Sequence, residues 1–286
     1  MTILENQSLR QHNTFRTGGM AKYFTEPLNT EDILEAIRFA KENRLKYMIV
    51  GNGSNLLFSD EGYDGLIIKT SKLKGIERDG ETLKVYSGEL TPSVGAFAAR
   101  NGLTGFEPLS GIPGSIGGGI YMNCGAYGTE IGDLISKVCF LYTDGKIKIF
   151  DRSELDFSYR SSSFQHMDGV ILWAELKLSK GDRSQIDEHM KDYAQRRKDK
   201  QPLEYPSAGS TFKRPEGHFA AKLIDDCGLK GLSVGGAEVS EKHAGFIINK
   251  KDATTKDILE LIEKVRKIVF EKTGVTLECE VKVVER

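Results

Sequence analysis

The sequence lacks a strong net charge of either sign, because 40 lysines and arginines are balanced by 41 aspartates and glutamates. No overall field therefore attracts nucleic acid or an anionic membrane. The four cysteines are far apart and form no CxxC pair, which argues against a metal site and fits reduced thiols. The polar N-terminus lacks the apolar core of a signal peptide. We expect an intracellular globular protein without a metal.

The second glycine loop, as we call residues 111–128, has little charge and much glycine. Seven of its 18 residues are glycine, and no charged side chain occurs from residue 108 to residue 129. Glycines and Asn123 interrupt every apolar run well short of the roughly 20 residues that a membrane span needs. Glycine leaves backbone N–H groups uncovered, and such groups hold phosphate without a basic side chain. A phosphate-binding loop and a buried packing segment explain this composition equally well.

The first glycine loop, residues 51–55 with the sequence GNGSN, follows an apolar strand predicted at residues 47–50. Ligands commonly bind at the carboxyl end of such a strand. The dinucleotide fingerprint does not match, because its third glycine is missing and residues 56–58 predict a strand instead of a helix. The Walker phosphate loop is excluded too, since no Gly-Lys-Ser or Gly-Lys-Thr is present. If these glycines bind phosphate, they do so in another fold.

The remaining pattern predicts a mixture of helices and strands. Four helices begin at a side chain suited to capping: Thr30, Thr91, Ser184 and Thr254. Asp187 and Asp257 lie three residues after the last two and complete capping boxes. Gly274 is expected to end the final helix, and a domain boundary is expected at Gly181. Residues 277–284 predict a closing strand in which apolar and charged side chains alternate.

Several polar segments leave two interpretations open. Arg160, set among aromatics and three serines, is either an anion ligand or a surface arginine on a polar turn. The basic run at residues 196–200 is either a solvated helix end or a contact to an anionic substrate. Residues 207–215 combine small residues, hydroxyls and two cations. Glu278 and Glu280 share one face of the closing strand, so their spacing alone does not separate them.

Six segments, taken together, resemble one enzyme family. They are GNGSN, LSGIPGSIGGGIYMNCGAYG, YRSSSF, AGSTFKRP, HAGFIIN and LECEV, in that order along the chain. Their order and spacing are similar to those of the UDP-N-acetylenolpyruvoylglucosamine reductases, in the shorter subtype that lacks a tyrosine-bearing loop. The resemblance runs from residue 13 to residue 284. Each motif alone is weak evidence, whereas six in order are specific.

The resemblance implies an α+β fold with an FAD-binding domain of the vanillyl-alcohol-oxidase (PCMH) type. That domain would span residues 1–180 in two subdomains, 1–75 and 76–180, and an α+β substrate-binding domain would follow at 181–286. FAD would be bound non-covalently, with its diphosphate between backbone amides of the two glycine loops, and NADPH would be the reductant. In agreement with a non-covalent flavin, no histidine occurs from residue 51 to residue 128.

The resemblance also implies roles for individual residues. Contacts to FAD are implied for Gly51, Asn52, Gly53, Ser54, Asn55, Pro113, Gly114, Ser115, Ile116, Gly117, Asn123, Gly125, Ala126 and Tyr127. Contacts to the substrate are implied for Arg197, Lys200, Lys213, Arg214, Lys230 and His243. Arg160 and Glu280 would stabilise charge on the substrate carboxylate, and Ser210 would donate a proton. Ser207 and Thr211 are the competing hydroxyls.

The implied reaction is the NADPH-dependent reduction of UDP-N-acetylglucosamine enolpyruvate to UDP-N-acetylmuramate through FAD, in cytoplasmic peptidoglycan precursor synthesis. The implied partners are this sugar nucleotide and NADPH, with no nucleic acid, membrane or metal, and the sequence indicates no oligomeric state. Two alternatives remain. A flavin oxidase of the same fold would act on an alcohol or sugar with oxygen as acceptor. A nucleotide-binding module without turnover would be colourless.

Overall fold

The computed structural model describes all 286 residues of the chain. Packing divides them into two compact units, each built from segments that are distant in the sequence. Unit 1 comprises Met1–Leu4, Phe24–Asn52 and Gly65–Arg196. Unit 2 comprises Glu5–Tyr23, Gly53–Asp64 and Arg197–Arg286. A functional domain boundary at residue 181 stays a prediction, because compactness alone assigns no function to either side.

The chain forms six α-helices and twenty β-strands, several of which are only two or three residues long. The helices are α1 Thr30–Glu42, α2 Thr91–Arg100, α3 Ile116–Tyr121, α4 Arg183–Lys200, α5 Ala220–Asp226 and α6 Thr255–Thr273. The strands are β1 Leu4–Ser8, β2 Met20–Thr25, β3 Lys46–Val50, β4 Leu56–Phe58, β5 Tyr63–Lys69, β6 Ile76–Asp79, β7 Thr82–Tyr86, β8 Leu103–Thr104, β9 Gly125–Ala126, β10 Thr129–Glu130, β11 Ile135–Tyr142, β12 Ile147–Asp151, β13 Phe157–Ser158, β14 Ser161–Ser162, β15 Gly169–Lys177, β16 Ser179–Lys180, β17 Ser233–Val234, β18 Ala237–Val239, β19 Ile247–Asn249 and β20 Lys282–Val284. None of the helices combines the length and the apolar character that crossing a lipid bilayer requires.

The larger sheet of unit 1 is antiparallel and has the strand order β12-β11-β15-β7-β6. Leu83 and Val85 of β7 and Val138 and Phe140 of β11 are buried, because alternate side chains of a strand point to the same face. Apolar residues of α2 and α3 belong to the same core. This packing fixes the position of α3 within the second glycine loop.

A smaller layer of unit 1 contains α1 and the parallel strands β3 and β5. Ile33 and Ile37 of α1 are buried, since they recur with helical spacing. Asn29 caps this helix, because its side-chain oxygen accepts a 2.9 Å hydrogen bond from the N–H of Asp32. The predicted cap, Thr30, is therefore wrong by one residue, and Thr30 begins the helix itself.

The start of α2 contacts the second glycine loop. Leu90 occupies the capping position and offers no side-chain cap. Thr91, the predicted cap, donates its hydroxyl to the carbonyl of Ile112, and its N–H donates to the carbonyl of Gly114 at 3.0 Å. The capping prediction is wrong because Thr91 is the first residue of the helix itself, and its hydroxyl holds the loop. Asn101 ends the helix.

The long helix α4 also begins differently from the prediction. Asp182 precedes it, and its side chain accepts a 3.1 Å hydrogen bond from the N–H of Gln185. Ser184 lies inside the first turn, so the predicted capping box with Asp187 is wrong. Asp187 instead forms a 2.8 Å ion pair with Arg183. A carboxylate earlier in the chain has taken the capping role.

Unit 2 contains α6 and the three-stranded antiparallel sheet β17-β18-β19. The buried face of α6 includes Ile258 and Val265, two turns apart. The predicted capping box of Thr254 and Asp257 is confirmed, as is the left-handed Gly274, with a φ of 74°, at the C-terminal end. In the same unit β20 pairs in parallel with β4.

Candidate active site

The two glycine loops contact each other in unit 1 through Gly51 and Asn52. The side-chain N–H of Asn52 donates to the carbonyl of Pro113 at 2.6 Å. A Cβ atom on Gly51 would lie 2.3 Å from Oγ of Ser115, so this close approach requires glycine. Ser115 also caps α3, because its Oγ accepts the N–H of Gly118 at 3.4 Å. Four of the predicted FAD contacts are thus neighbours.

Two predicted amide donors of the second loop already have partners in unit 1. The N–H of Ile116 donates to the carbonyl of Glu89 at 2.8 Å, and that of Gly117 donates to the carbonyl of Ser87 at 2.9 Å. A Cβ atom on Gly117 would lie only 2.8 Å from Cβ of Ser87. These bonds hold the loop against the sheet. Contacts from Ile116 and Gly117 to a diphosphate stay a prediction.

The donor set of the loops suits a flavin dinucleotide. In unit 1, residues 51, 52, 114 and 115 offer backbone N–H, hydroxyl and amide groups, and none of them is a carboxylate that would repel a diphosphate. Next to Gly117 the hydroxyl of Ser87, a residue only 1% exposed, has no hydrogen-bond partner. Unpaired buried hydroxyls are uncommon and point to a functional site. On these grounds FAD fits the pair of loops.

The other half of the first loop belongs to unit 2 and packs against the segment that begins at His12. Gly53 has a φ of 69°, and a Cβ atom there would lie 2.2 Å from the carbonyl oxygen of His12. The carbonyl of Gly53 accepts the N–H of Thr14 at 3.4 Å. Side-chain oxygens of Asn13, Thr14 and Thr17 are buried without a partner. No role was predicted for this segment, although polar residues beside a pair of glycines are a sequence signal of a functional segment.

Asn55, the last residue of the first loop, contacts the segment that carries Glu280. Its side-chain N–H donates to the carbonyl of Glu280 at 3.1 Å, and its carbonyl accepts the N–H of Lys282 at 2.9 Å. The N–H of Glu280 in turn donates to the carbonyl of Thr211 at 2.8 Å. Ser210 precedes Thr211. One series of hydrogen bonds therefore joins the first glycine loop to two predicted catalytic segments of unit 2.

Ser210 and Thr211 differ in their exposure. Thr211 is completely buried, its N–H donates to the carbonyl of Gly245 at 2.8 Å, and its Oγ1 accepts the N–H of Ile247 at 3.1 Å. Both of these polar groups stabilise the fold. Ser210 is exposed, whereas Ser207 is half-buried. Of the three hydroxyls, that of Ser210 is the most accessible to a substrate.

The two glutamates that the sequence leaves equivalent have different partners. An isolated antiparallel bridge joins Phe212 to Cys279, so the predicted closing strand is interrupted and only its last part forms β20. Glu278 has a side chain that is 71% exposed, and it forms an ion pair with Lys213. Glu280 is half-buried, and both its backbone N–H and its backbone carbonyl form hydrogen bonds. Lys213, a predicted substrate contact, is thus paired with a carboxylate.

Arg160 lies in unit 1, in the two-residue turn that joins β13 to β14. Its φ of 58° is left-handed, a conformation that residues other than glycine and asparagine seldom adopt. Its guanidinium lies 4.7 Å from the centre of the Tyr159 ring. Nearby, burial raises the pKa of the Cys124 thiol to about 12, and the charge of Arg160 opposes this only in part. Cys124 is a protonated packing residue at neutral pH.

Asn123 is a predicted FAD contact whose side chain is engaged within unit 1. Its amide nitrogen donates to the carboxylate of Glu130 at 2.7 Å and to the carbonyl of Ser158 at 2.9 Å. Its amide oxygen accepts the N–H of Gly132 at 3.1 Å. Because both N–H donors are used, a contact from Asn123 to FAD stays a prediction that only its backbone or its amide oxygen can meet.

The short hairpin of β9 and β10 presents Tyr127. Gly125 and Ala126 form β9, and the turn residues Tyr127 and Gly128 have φ values of 53° and 88°. Positive φ at both turn residues is typical of a type I′ turn. The ring of Tyr127 lies 4.7 Å from that of Tyr193 on α4, and Tyr127 is 42% exposed. Its ring is accessible to a ligand.

Three predicted substrate contacts lie close together in unit 2. Nδ1 of His243 accepts the N–H of Gly245 at 3.1 Å, which leaves the ring proton on Nε2. Burial lowers the pKa of His243, and the positive charges of Lys230 and Lys200 lower it further. The neutral imidazole is therefore a hydrogen-bond donor beside two cations. This combination suits a phosphate group.

The predicted cations differ in their protein partners and in their exposure. Lys230 also forms a 2.8 Å ion pair with Asp225. The guanidinium of Arg214 lies 4.8 Å from the centre of the Phe219 ring, which belongs to a residue 60% exposed. Arg197 is half-buried on the part of α4 that belongs to unit 2. Their contacts to a substrate stay predictions.

Comparisons with known proteins now identify the family. Residues 21–151 match the model of an FAD binding domain, and residues 201–284 match that of the UDP-N-acetylenolpyruvoylglucosamine reductase C-terminal domain. A UDP-N-acetylenolpyruvoylglucosamine reductase of Clostridium botulinum (strain Eklund 17B) is 45% identical over 280 residues, which are 98% of this chain and 92% of the relative. The chain belongs to the UDP-N-acetylenolpyruvoylglucosamine reductase family.

Two further members of this reductase family support the assignment. The enzyme of Clostridium novyi (strain NT) is 48% identical over 282 residues, 99% of this chain and 92% of the relative. The crystal structure of the reductase from Thermus caldophilus matches with a TM-score of 0.82 at 35% identity and covers 99% of this chain and 98% of that one. The predicted family and α+β, PCMH-type fold are confirmed, and the chain length fits the shorter subtype.

Membership of the reductase family also confirms FAD as the cofactor and an NADPH-dependent oxidoreductase as the class of enzyme. The matched FAD binding domain contains both glycine loops. This explains why neither loop fits the dinucleotide fingerprint or the Walker motif. The glycines serve close packing in a different chain topology, and their contact with phosphate stays a prediction.

Proposed function

We propose that this chain reduces UDP-N-acetylglucosamine enolpyruvate to UDP-N-acetylmuramate, with NADPH as the source of hydride, in peptidoglycan precursor synthesis. Family membership supports the reaction. The observation that carries the residue assignments is the series of hydrogen bonds from Asn55 through Glu280 to Thr211, next to Ser210. It associates a carboxyl group and an exposed hydroxyl with the first glycine loop.

The reaction adds a hydride and a proton across the enolpyruvyl double bond. FAD, which the two glycine loops would hold, would supply to C3 of that group the hydride that NADPH provides. Negative charge then develops on C2 and on the attached carboxylate, where Arg160 and Glu280 stabilise it. The hydroxyl of Ser210 donates its proton to C2 and regains one from water. The buried hydroxyl of Thr211 is used by the fold and takes no part.

The diphosphate of the sugar nucleotide is assigned to Lys200, Lys230 and His243. Two cations and a neutral Nε2–H donor satisfy several phosphate oxygens at once. The grouping of these side chains supports the assignment. Arg197, Lys213 and Arg214 are proposed as further contacts to the substrate.

Replacement of Ser210 by alanine tests the proton donor. We expect NADPH to bleach the flavin of Ser210→Ala normally, whereas the enolpyruvyl substrate reoxidises it at least about 100-fold more slowly, since general acid catalysis contributes roughly that much. Anaerobic stopped-flow absorbance measures the two half-reactions separately. Ser207→Ala, in the same segment, is the matched control and should be normal in both. Normal reoxidation of Ser210→Ala would rule out this donor.

We also propose that the enzyme works in the cytoplasm on small molecules, without nucleic acid or membrane. A formal net charge of −1 supports this, because it provides no general attraction to either polyanion. The FAD-binding domain is proposed to span residues 1–180 and the substrate-binding domain residues 181–286. In support, each of the two matched family models lies within one of these ranges.

A further inference from the structure

Gln165 joins the Arg160 turn to the end of α3. Its Nε2 lies 3.0 Å from the carbonyl oxygen of Arg160 and 2.8 Å from that of Tyr121. An amide nitrogen carries two hydrogens, so one is donated to each carbonyl. Tyr121 is the last residue of α3, the helix that begins in the second glycine loop. A single side chain therefore connects the turn to the segment that is assigned to FAD.

The carbonyl of Arg160 is important because the backbone of this residue is strained. Positive φ at the second of two turn residues is typical of a type II turn, where glycine or asparagine is usual. Such conformations are energetically unfavourable and persist only where the surroundings enforce them. A donor on this carbonyl fixes the peptide plane that follows Arg160. It thereby sets the direction in which the side chain leaves the turn.

We propose that Gln165 is a positioning residue for Arg160. Its amide holds the Arg160 carbonyl against the end of α3 and so orients the guanidinium. The inference rests on the proposed function, in which Arg160 stabilises charge on the substrate carboxylate. If Gln165 had only a structural role, its hydrogen bond to the carbonyl of Tyr121 would account for that role. Ser162 separates the two roles, because its hydroxyl donates its one hydrogen to that same carbonyl at 2.9 Å.

Kinetics of the half-reactions test the positioning role. Gln165→Met keeps the length of the side chain and removes both donors. We expect the substrate to reoxidise its flavin at least about 10-fold more slowly, since a misplacement of about 1 Å can cost about 100-fold. Reduction by NADPH should be unchanged. Gln165→Lys, whose ammonium can donate to both carbonyls, should restore most of the rate, and Ser162→Ala should be normal in both half-reactions.

Trypsin provides a readout that does not depend on activity. Trypsin cleaves after arginine, and the carbonyl of the scissile bond at Arg160 is the one that accepts a hydrogen bond from Gln165. We expect Gln165→Met to release the fragment that ends at Arg160 faster than wild type or Ser162→Ala, because cleavage follows the population of the opened turn. Mass spectrometry of the digest identifies this fragment. Gln165→Glu, which also lacks the donors, is a second variant if the first does not fold.

The outcomes distinguish this inference from the proposed function. In Arg160→Lys the substrate should reoxidise the flavin slowly, because lysine lacks the planar guanidinium that pairs with a carboxylate through two hydrogen bonds. If it does and Gln165→Met is normal in rate and in proteolysis, only the positioning role fails. If Arg160→Lys is normal, the role of Arg160 fails and the inference fails with it. Equal slowing in Gln165→Met and Ser162→Ala would trace the effect to Tyr121 and overturn the inference.

Discussion

Among single residues, burial and bonding partners distinguish neighbouring side chains of the same chemical type. Thr211 is buried and its hydroxyl accepts a backbone hydrogen bond, whereas Ser210 is exposed. Glu278 points to solvent and pairs with Lys213, whereas Glu280 is half-buried. In the first pair the buried hydroxyl supports the fold and the exposed one is accessible. In the second pair the exposed carboxylate has an ion-pair partner, and the half-buried one is the group proposed for the chemistry. Chemical identity alone does not separate them.

This difference predicts opposite results for the two glutamates. Glu280→Ala should slow reoxidation of the flavin by the enolpyruvyl substrate about 100- to 1,000-fold, the usual cost of losing one group that stabilises developing charge. Glu278→Ala loses only an exposed ion pair, which contributes at most about 1 kcal/mol to stability, and its rate should be normal. Anaerobic stopped-flow absorbance compares the variants. A normal rate for Glu280→Ala would refute the assignment of this carboxyl group.

The residue pattern indicated which segments would carry the chemistry, but by itself it did not separate the candidate residues within each segment. Alternation along a strand placed Glu278 and Glu280 on one face, and only the family resemblance favoured the second. The contact that distinguishes Glu280 comes from Asn55, 225 positions away in the chain. Lys213, which pairs with Glu278, is 65 positions away. Local patterns contain no information about such contacts.

Among helices and loops, the lack of information about long-range contacts also affects which helix caps could be predicted. The capping box of Thr254 and Asp257 is formed by neighbours in sequence, and it is confirmed. Thr91 fails as a cap because α2 already begins at this residue, and its hydroxyl donates to the carbonyl of Ile112 in the second glycine loop. Ser184 fails because a nearby carboxylate, Asp182, caps α4 first. Caps are predictable where long-range contacts do not shift the start of the helix and no neighbouring residue caps it first.

Adjacent glycines of α3 offer a matched test of the loop. A Cβ atom on Gly117 would lie 2.8 Å from Cβ of Ser87, and such overpacking costs roughly 1–3 kcal/mol. Gly117→Ala should therefore unfold at lower urea and retain less FAD after gel filtration. On Gly118 the nearest atom, Oγ of Ser115, is 3.4 Å away, so Gly118→Ala should be tolerated. Equal flavin content in the two variants would show that this contact does not control FAD binding.

For the whole molecule, long-range packing and linear order divide the chain differently. Unit 2 combines Glu5–Tyr23 and Gly53–Asp64 with the C-terminal part of the chain. The first glycine loop is therefore shared, with Gly51 and Asn52 in unit 1 and Gly53 to Asn55 in unit 2. Composition and periodicity give no sign of such a division, because it depends on contacts between distant segments. The family resemblance predicts the fold but not this packing.

The behaviour of the whole protein separates the proposed reductase from its two alternatives. The purified protein should be yellow, and an equivalent of NADPH should bleach it without oxygen, because hydride transfer reduces the bound flavin. UDP-N-acetylglucosamine enolpyruvate should then restore the colour, whereas UDP-N-acetylglucosamine, which has no double bond to reduce, should not. An absorbance titration under nitrogen measures each step. An oxidase would ignore NADPH and recover rapidly in air, and a module without turnover would be colourless, so either result would refute the proposed reaction.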